Sequence, residues 1–183
     1  PYLIIKLNDP DLIELAKFPA ISRYLATYVA PSDNCQSCQE TESPIATFEC
    51  LARRSLGEAL LGFLKMDVDQ LGEAFVYGLN SKESSLDTAS RVSTLSRMLD
   101  IFFSGWVEHL TRKDKDFYTI FSGGDDLFLV GSWDRVVRIA GQVNKDFANF
   151  TNNPSLTLSA GIVIARHDFP LPSAARAVNE ALE

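Results

Sequence analysis

"FSGGDDLFLVG", Phe121 to Gly131, sets two glycines and two aspartates at the mouth of an apolar run. Acidic side chains are almost never fully buried without a partner, so carboxylates leading into a buried strand call for a cation. On one side "FYTIFSG", Phe117 to Gly123, is β-rich, and on the other "DLFLVGS", Asp126 to Ser132, is a second such run. The Gly123-Gly124 pair between them reads as a hairpin turn, because glycine takes positive φ without a steric cost. Asp125 and Asp126 then leave a tight turn and enter a strand.

Upstream, "EALLGFLKMDVD" makes an apolar strand through Leu60, Leu61, Phe63, Leu64, Met66 and Val68 that ends on Asp67 and Asp69. "QLGEAFVYGL" opens a helix. "SSLDTASRVSTLSRMLDIFFSGWVEHL" forms a long one, with Leu86, Ala89, Val92, Leu95, Leu99, Phe102, Phe103, Trp106 and Leu110 on one face. Downstream, Ser132 is placed to cap "WDRVVRIAGQVNKDFANF", whose apolar face holds Val136, Ala140, Val143, Phe147 and Phe150. "SLTLSAGIVIA" supplies a last strand and "LPSAARAVNEALE" a last helix. From Glu58 onward the order is βαββαβ, an α+β, ferredoxin-like palm in which an antiparallel sheet carries helices on one face. In that sheet the end of the first strand lies beside the central hairpin, so Asp67, Asp69, Asp125 and Asp126 converge.

Residues 48–183 form this palm, and residues 1–47 read as an N-terminal appendage: the strand "YLIIKL", the short helix "DLIELAKF" and a Cys-containing insertion or linker. Cys35-Gln-Ser-Cys38 has the C-x2-C spacing of half a zinc site, since two intervening residues let both thiolates face one ion. Cys50 is either a third ligand or part of the apolar helical face in "ATFECLARRSLGEAL". Three cysteines are too few for a disulfide framework and suit a reducing compartment.

At 183 residues the chain suits one domain with a small appendage, and at 46% hydrophobic it can bury a core. A net charge of −7 argues against a broad Lys/Arg groove for nucleic-acid backbones. No apolar run approaches the roughly 18 residues that a spanning helix needs, and a cytoplasmic location is expected. The chain starts at Pro1 and stops at Glu183 within a helical pattern, as a segment of a longer protein would. His109, His167, Arg53-Arg54 and Lys113 to Lys115 read as solvated surface, and Trp106 and Trp133 as packing residues.

Two carboxylates about 4 Å apart repel by roughly 4 kcal/mol at an effective dielectric near 20. A hard divalent cation, Mg²⁺ or Mn²⁺, removes the conflict and fills its other positions with water and phosphate. A pair of such ions can hold both the attacking and the leaving oxygen of an in-line displacement at phosphorus. Asp67 with Asp125 or Asp126 is the expected ligand set, with the Val68 carbonyl as a further oxygen. The amides of Gln70, Leu71 and Gly72 could receive a triphosphate, and Gly123 and Gly124 let a nucleotide approach without a Cβ in the way. The plainer reading is a simple hairpin whose aspartates are solvated strand ends.

"LKMDVDQLG" and "FSGGDDLFLVG", with "FFSGW" between them, together resemble the second palm domain of the large subunit of type III CRISPR effector complexes, with subtype III-A fitting best. "LTLSAGIVIARHDFPLPSAARAVNEAL" continues the match as that domain's last strand and helix. The resemblance implies a nucleotidyltransferase that makes cyclic oligoadenylate second messengers from ATP, by attack of a 3′-hydroxyl on an α-phosphate. It implies work inside a complex with guide RNA, other effector subunits and an activating target RNA. It also implies that Asp67, Asp125 and Asp126 carry the metals, that Asp69 supports them and that Ser122 lies beside the adenine.

Three features depart from the family pattern. One of two expected Cys pairs is complete, the phosphate-contacting lysine falls beyond Glu183, and the nuclease domain and first palm lie outside this chain, so nuclease activity is not expected of it. A diguanylate cyclase is the nearest rival enzyme. Its turn resembles Gly-Gly-(Asp/Glu)-Glu-Phe and its upstream inhibitory site Arg-x-x-Asp, whereas this chain has Asp126-Leu127-Phe128 and Arg112-Lys113-Asp114-Lys115. A catalytically silent palm scaffold in a ribonucleoprotein is the non-enzyme rival.

Overall fold

Eight consecutive residues of β1 (Leu61–Val68) form the central strand. In this computed structural model the described residues are 35–40, 45–76, 80–81, 84–85, 89–114 and 116–183. The strand and short helix expected within residues 2–18 lie outside them. Ahead of β1 come α1 (Gln36–Glu40) and α2 (Phe48–Ala52), and after it α3 (Leu71–Val76). A short ribbon, β2 (Asn80–Ser81) with β3 (Ser84–Ser85), precedes α4 (Ala89–Ile101). Ser84 and Ser85 of "SSLD" thus belong to β3 and not to the long helix, and the helical face expected at Leu86 lies outside the described residues. A π-helical segment, Phe102–Val107, and α5 (Glu108–Asp114) follow. The chain then runs through β4 (Phe117–Gly123), β5 (Asp126–Ser132), α6 (Trp133–Thr151), β6 (Leu158–Ala165) and α7 (Leu171–Leu182).

The sheet order is β4-β5-β1-β6 with every neighbouring pair antiparallel, the arrangement the βαββαβ order implies. Side chains alternate across the pleat. On the first face Leu64, Met66, Leu127 and Leu129 pack against Phe102, Phe103, Val107, Val136, Val143 and Phe147. On the second face Leu61, Phe63 and Val130 pack against Cys50, Leu51, Ala174 and Val178. Helices thus cover both faces, not one: α2 and α7 close part of the second.

Gly161 makes that second layer possible. A Cβ there would lie 2.4 Å from the Val178 carbonyl oxygen and 2.9 Å from the Leu182 nitrogen, so α7 rests directly on the β6 backbone. Gly161→Ala is expected to lift α7 and speed hydrogen exchange of α7 and β6 amides in the intact protein about tenfold or more, since overpacking costs roughly 1–3 kcal/mol. Gly141→Ala, at an exposed α6 position with open space around it, is the control and is expected to slow α6 exchange slightly.

Three local expectations change. The π-helical segment adds a residue to the turn, so Val107 rather than Trp106 takes the buried place after Phe102 and Phe103. Trp106 is 46% exposed, stacks on His109 and donates its ring N–H to Asp146 Oδ2 at 2.9 Å. Ser132 does not cap α6; its buried hydroxyl donates to the Leu51 carbonyl at 2.8 Å and ties α2 to β5. Arg54 is not a solvated cation either, because Asp116 is buried at the start of β4 and accepts from both Arg54 (3.0 Å) and Arg135. No helix among the described residues is long and apolar enough to cross a membrane.

Candidate active site at the sheet rim

Antiparallel pairing of β1 with β5 sets Asp67 directly opposite Asp126. Both lie on the second face, the alternation placing them in line with Lys65, Phe63 and Val130. Asp67, Asp125 and Asp126 are all half-buried. Asp67 and Asp126 face each other closely enough for their carboxyl groups to interact. Burial first, then the facing Asp126 carboxyl and the charges of Asp126 and Asp125, push the Asp67 carboxyl up to about 6; Lys65 pulls the other way. The donors are all hard oxygens on one rim, and they fit Mg²⁺ or Mn²⁺.

The hairpin differs from the expected Gly-Gly turn. Gly123 is the last residue of β4 and pairs with Asp126, so the turn residues are Gly124 and Asp125. Gly124 takes φ +64 and Asp125 has no positive φ, the φ pattern of a II′ turn, which wants glycine first. Asp125 therefore sits in the turn itself. The Gly124 N–H points to Asp100 Oδ1 on α4 at 3.4 Å. Asp100 escaped the sequence reading because a lone acid on an amphipathic helix looks like solvated surface. Ser122 pairs with Leu127 and so faces the first layer, away from Asp67 and Asp126; its hydroxyl donates to the Phe103 carbonyl at 2.6 Å, inside the π-helical segment.

Asp69 turns to the other neighbour of β1. Its N–H donates to the Thr157 carbonyl at 2.9 Å, and its two carboxylate oxygens accept from the hydroxyls of Thr157 and Ser159, each at 2.5 Å. The register sets Asp67 opposite Asp126 with Asp125 next to it in the turn, whereas Asp69 is tied to the β6 side. Val68 ends β1 with its side chain buried. Gln70 follows with φ 53, an uncommon conformation for a residue with a long side chain, and Leu71 and Gly72 start α3.

At the far end of β1, roughly 20 Å away at about 3.3 Å per residue, the thiols of Cys35, Cys38 and Cys50 come within 4.8 Å of one another, all buried. Cys50 therefore belongs to the cluster as well as to the core. The Thr47 N–H donates to Cys38 Sγ at 3.5 Å, and the Arg54 guanidinium donates to Cys50 Sγ at 3.6 Å. Three soft donors this close could bind a metal such as zinc.

Comparison with known proteins follows the geometry. The model of the Cas10/Cmr2 second palm domain matches residues 60–183. The chain belongs to that family. The palm is 39% identical over 160 residues to the CRISPR system single-strand-specific deoxyribonuclease Cas10/Csm1 (subtype III-A) of Methanocaldococcus jannaschii, covering 79% of this chain and 20% of the relative. It resembles a Csm1–Csm4 cassette in complex with AMPPNP, with TM-score 0.67, 31% identity and coverage of 86% of this chain and 23% of that one. A Csm1–Csm4 cassette in complex with cA4 matches with TM-score 0.67, 30% identity and coverage of 86% and 23%. The expected family and the α+β palm fold both stand, and the chain spans about a fifth of the length of such relatives.

Proposed function

We propose that this palm makes cyclic oligoadenylates from ATP within a type III-A CRISPR effector complex. The observation that carries the reading is the trio Asp67, Asp125 and Asp126 at one rim of the sheet, with Asp67 directly opposite Asp126 and Asp125 next to it in the hairpin turn. The likeness to structures bound to AMPPNP and cA4 supports a nucleotide there. Asp67, Asp125 and Asp126, with the Val68 carbonyl, would hold Mg²⁺ or Mn²⁺. When bound, such ions supply charge stabilisation to the attacking 3′-oxygen and to the departing pyrophosphate.

The remaining work falls to the chain. Gly123 and Gly124 leave the hairpin open to close approach, and the amides of Gln70, Leu71 and Gly72 border the triphosphate. Ser122 would lie beside the base on the first face. With its hydroxyl hydrogen directed to the Phe103 carbonyl, it presents its oxygen as an acceptor, matched to the 6-amino donor of adenine and not to the 6-oxo group of guanine. Cys35, Cys38 and Cys50 would hold a structural zinc. The nuclease activity in the relatives' names is not assigned to this segment. Partners are ATP, guide and target RNA, and other effector subunits, of which the Csm4 in the neighbouring structures is the model.

The test is an assembled complex containing the full-length subunit, given labelled ATP or GTP with Mn²⁺, with and without matching target RNA. Oligoadenylate that depends on target RNA is the expected result. Preferential use of GTP would place the palm with diguanylate cyclases, and absence of any product would make it a scaffold.

A further inference from the structure

We infer that Asp69 is a positioning residue rather than a metal ligand: clamped by Thr157 and Ser159, it holds the left-handed turn at Gln70 that borders the nucleotide side of the site. The inference rests on the reading of the acidic rim as an ATP site. Sequence spacing groups Asp69 with Asp67 as a D-x-D pair. The contacts separate them. β1 lies between β5 and β6, so its two terminal acids can engage different neighbours. Asp67 meets Asp126 of β5, whereas Asp69 gives both oxygens and its N–H to the β6 side.

Both hydroxyls donate to the Asp69 carboxylate, one to each oxygen, and hydrogen bonds to an ionised acceptor are stronger than neutral ones. They aim the carboxylate away from the hairpin that carries Asp125 and Asp126. The bond from the Asp69 N–H to Thr157 carries the β1–β6 pairing one residue past Val68↔Leu158, the last pair of the ladder. Immediately beyond, Gln70 takes φ 53. A non-glycine residue in that region persists only where its surroundings over-determine it. The three bonds at the preceding residue, one from the backbone and two to the side chain, supply that constraint. Thr157 sits just before β6 and Ser159 pairs with Asp67, so the clamp registers the turn against β6 beside the residue that faces Asp67.

The experiment compares Asp69→Asn with the double variant Thr157→Val/Ser159→Ala, which removes the clamp without touching an acid, in the assembled complex. Mn²⁺ affinity is read without nucleotide by calorimetry, and KM and kcat for ATP are read separately. Positioning predicts Mn²⁺ affinity within about twofold of wild type for both variants, with KM for ATP raised about tenfold in the double variant and restored when Thr157→Ser replaces Thr157→Val. A tenfold or greater loss of Mn²⁺ affinity in Asp69→Asn, with the double variant behaving as wild type, would make Asp69 a ligand and overturn the inference. A KM within twofold in the double variant would overturn it as well. If wild type itself neither takes up Mn²⁺ nor uses ATP, the active-site reading fails. The clamp is then judged on hydrogen exchange of the Asp69 and Gln70 amides, and unchanged exchange in the double variant would dismiss it too.

Discussion

Complexes carrying Asp125→Ala together with Asp126→Ala are expected to lose oligoadenylate formation by about 10³-fold or more while assembling normally. Asp126 is the partner across from Asp67, and Asp125 occupies the hairpin turn, so the double change removes two of the three carboxylates on the rim. The fold has little to lose. Both side chains are half-buried at the strand mouth, and the positive φ of the turn belongs to Gly124, which is untouched. Alanine at both sites also ends a like-charge contact, which leaves the metal-free protein no less stable. Labelled ATP measures the activity, and size-exclusion chromatography of the complex measures assembly. Failure to assemble would show that the pair holds the structure together and would detach it from catalysis.

The sheet was legible because its signals are short-range and redundant. β4 and β5 have the boundaries that the β-rich runs suggest, and the βαββαβ order implies the pairing that sets Asp67 against Asp126. What stayed hidden depends on contacts between distant segments. Nothing local distinguishes Asp69 from Asp67, since their different roles come from Thr157 and Ser159 on a strand nearly ninety residues downstream. Whether Cys50 is a third ligand or only part of an apolar helical face stays open in the sequence until α2 folds beside Cys35 and Cys38. The π-helical segment is illegible for another reason. One inserted residue shifts the apolar stripe by a single place, and "FFSGWV" offers Trp106 and Val107 as equally apolar candidates for the core.

The pH dependence of metal uptake gives the second large effect. Asp67, pushed up to about 6 by burial and by its acidic neighbours, must release its proton before it can bind a divalent ion. Below about pH 6, apparent Mn²⁺ affinity is therefore expected to fall about tenfold per pH unit, and above it to level off. Asp67→Asn should bind Mn²⁺ weakly with no such slope. Stability runs the opposite way. A carboxyl raised above its ordinary 3.8 favours the folded state below that value and loses this contribution as pH rises toward 6, because the native form holds the extra proton. Metal-free Asp67→Asn is thus expected to melt above wild type at pH 7.5, by the equivalent of about 1 kcal/mol after allowance for solvent screening, with a smaller gap at pH 5. Saturating Mn²⁺ should reverse the order at pH 7.5, since binding stabilises only the protein that can bind. Wild-type affinity that is flat from pH 5 to 7.5 would mean that no proton leaves as the ion enters. In that case the carboxylates meet at the rim without serving a cation.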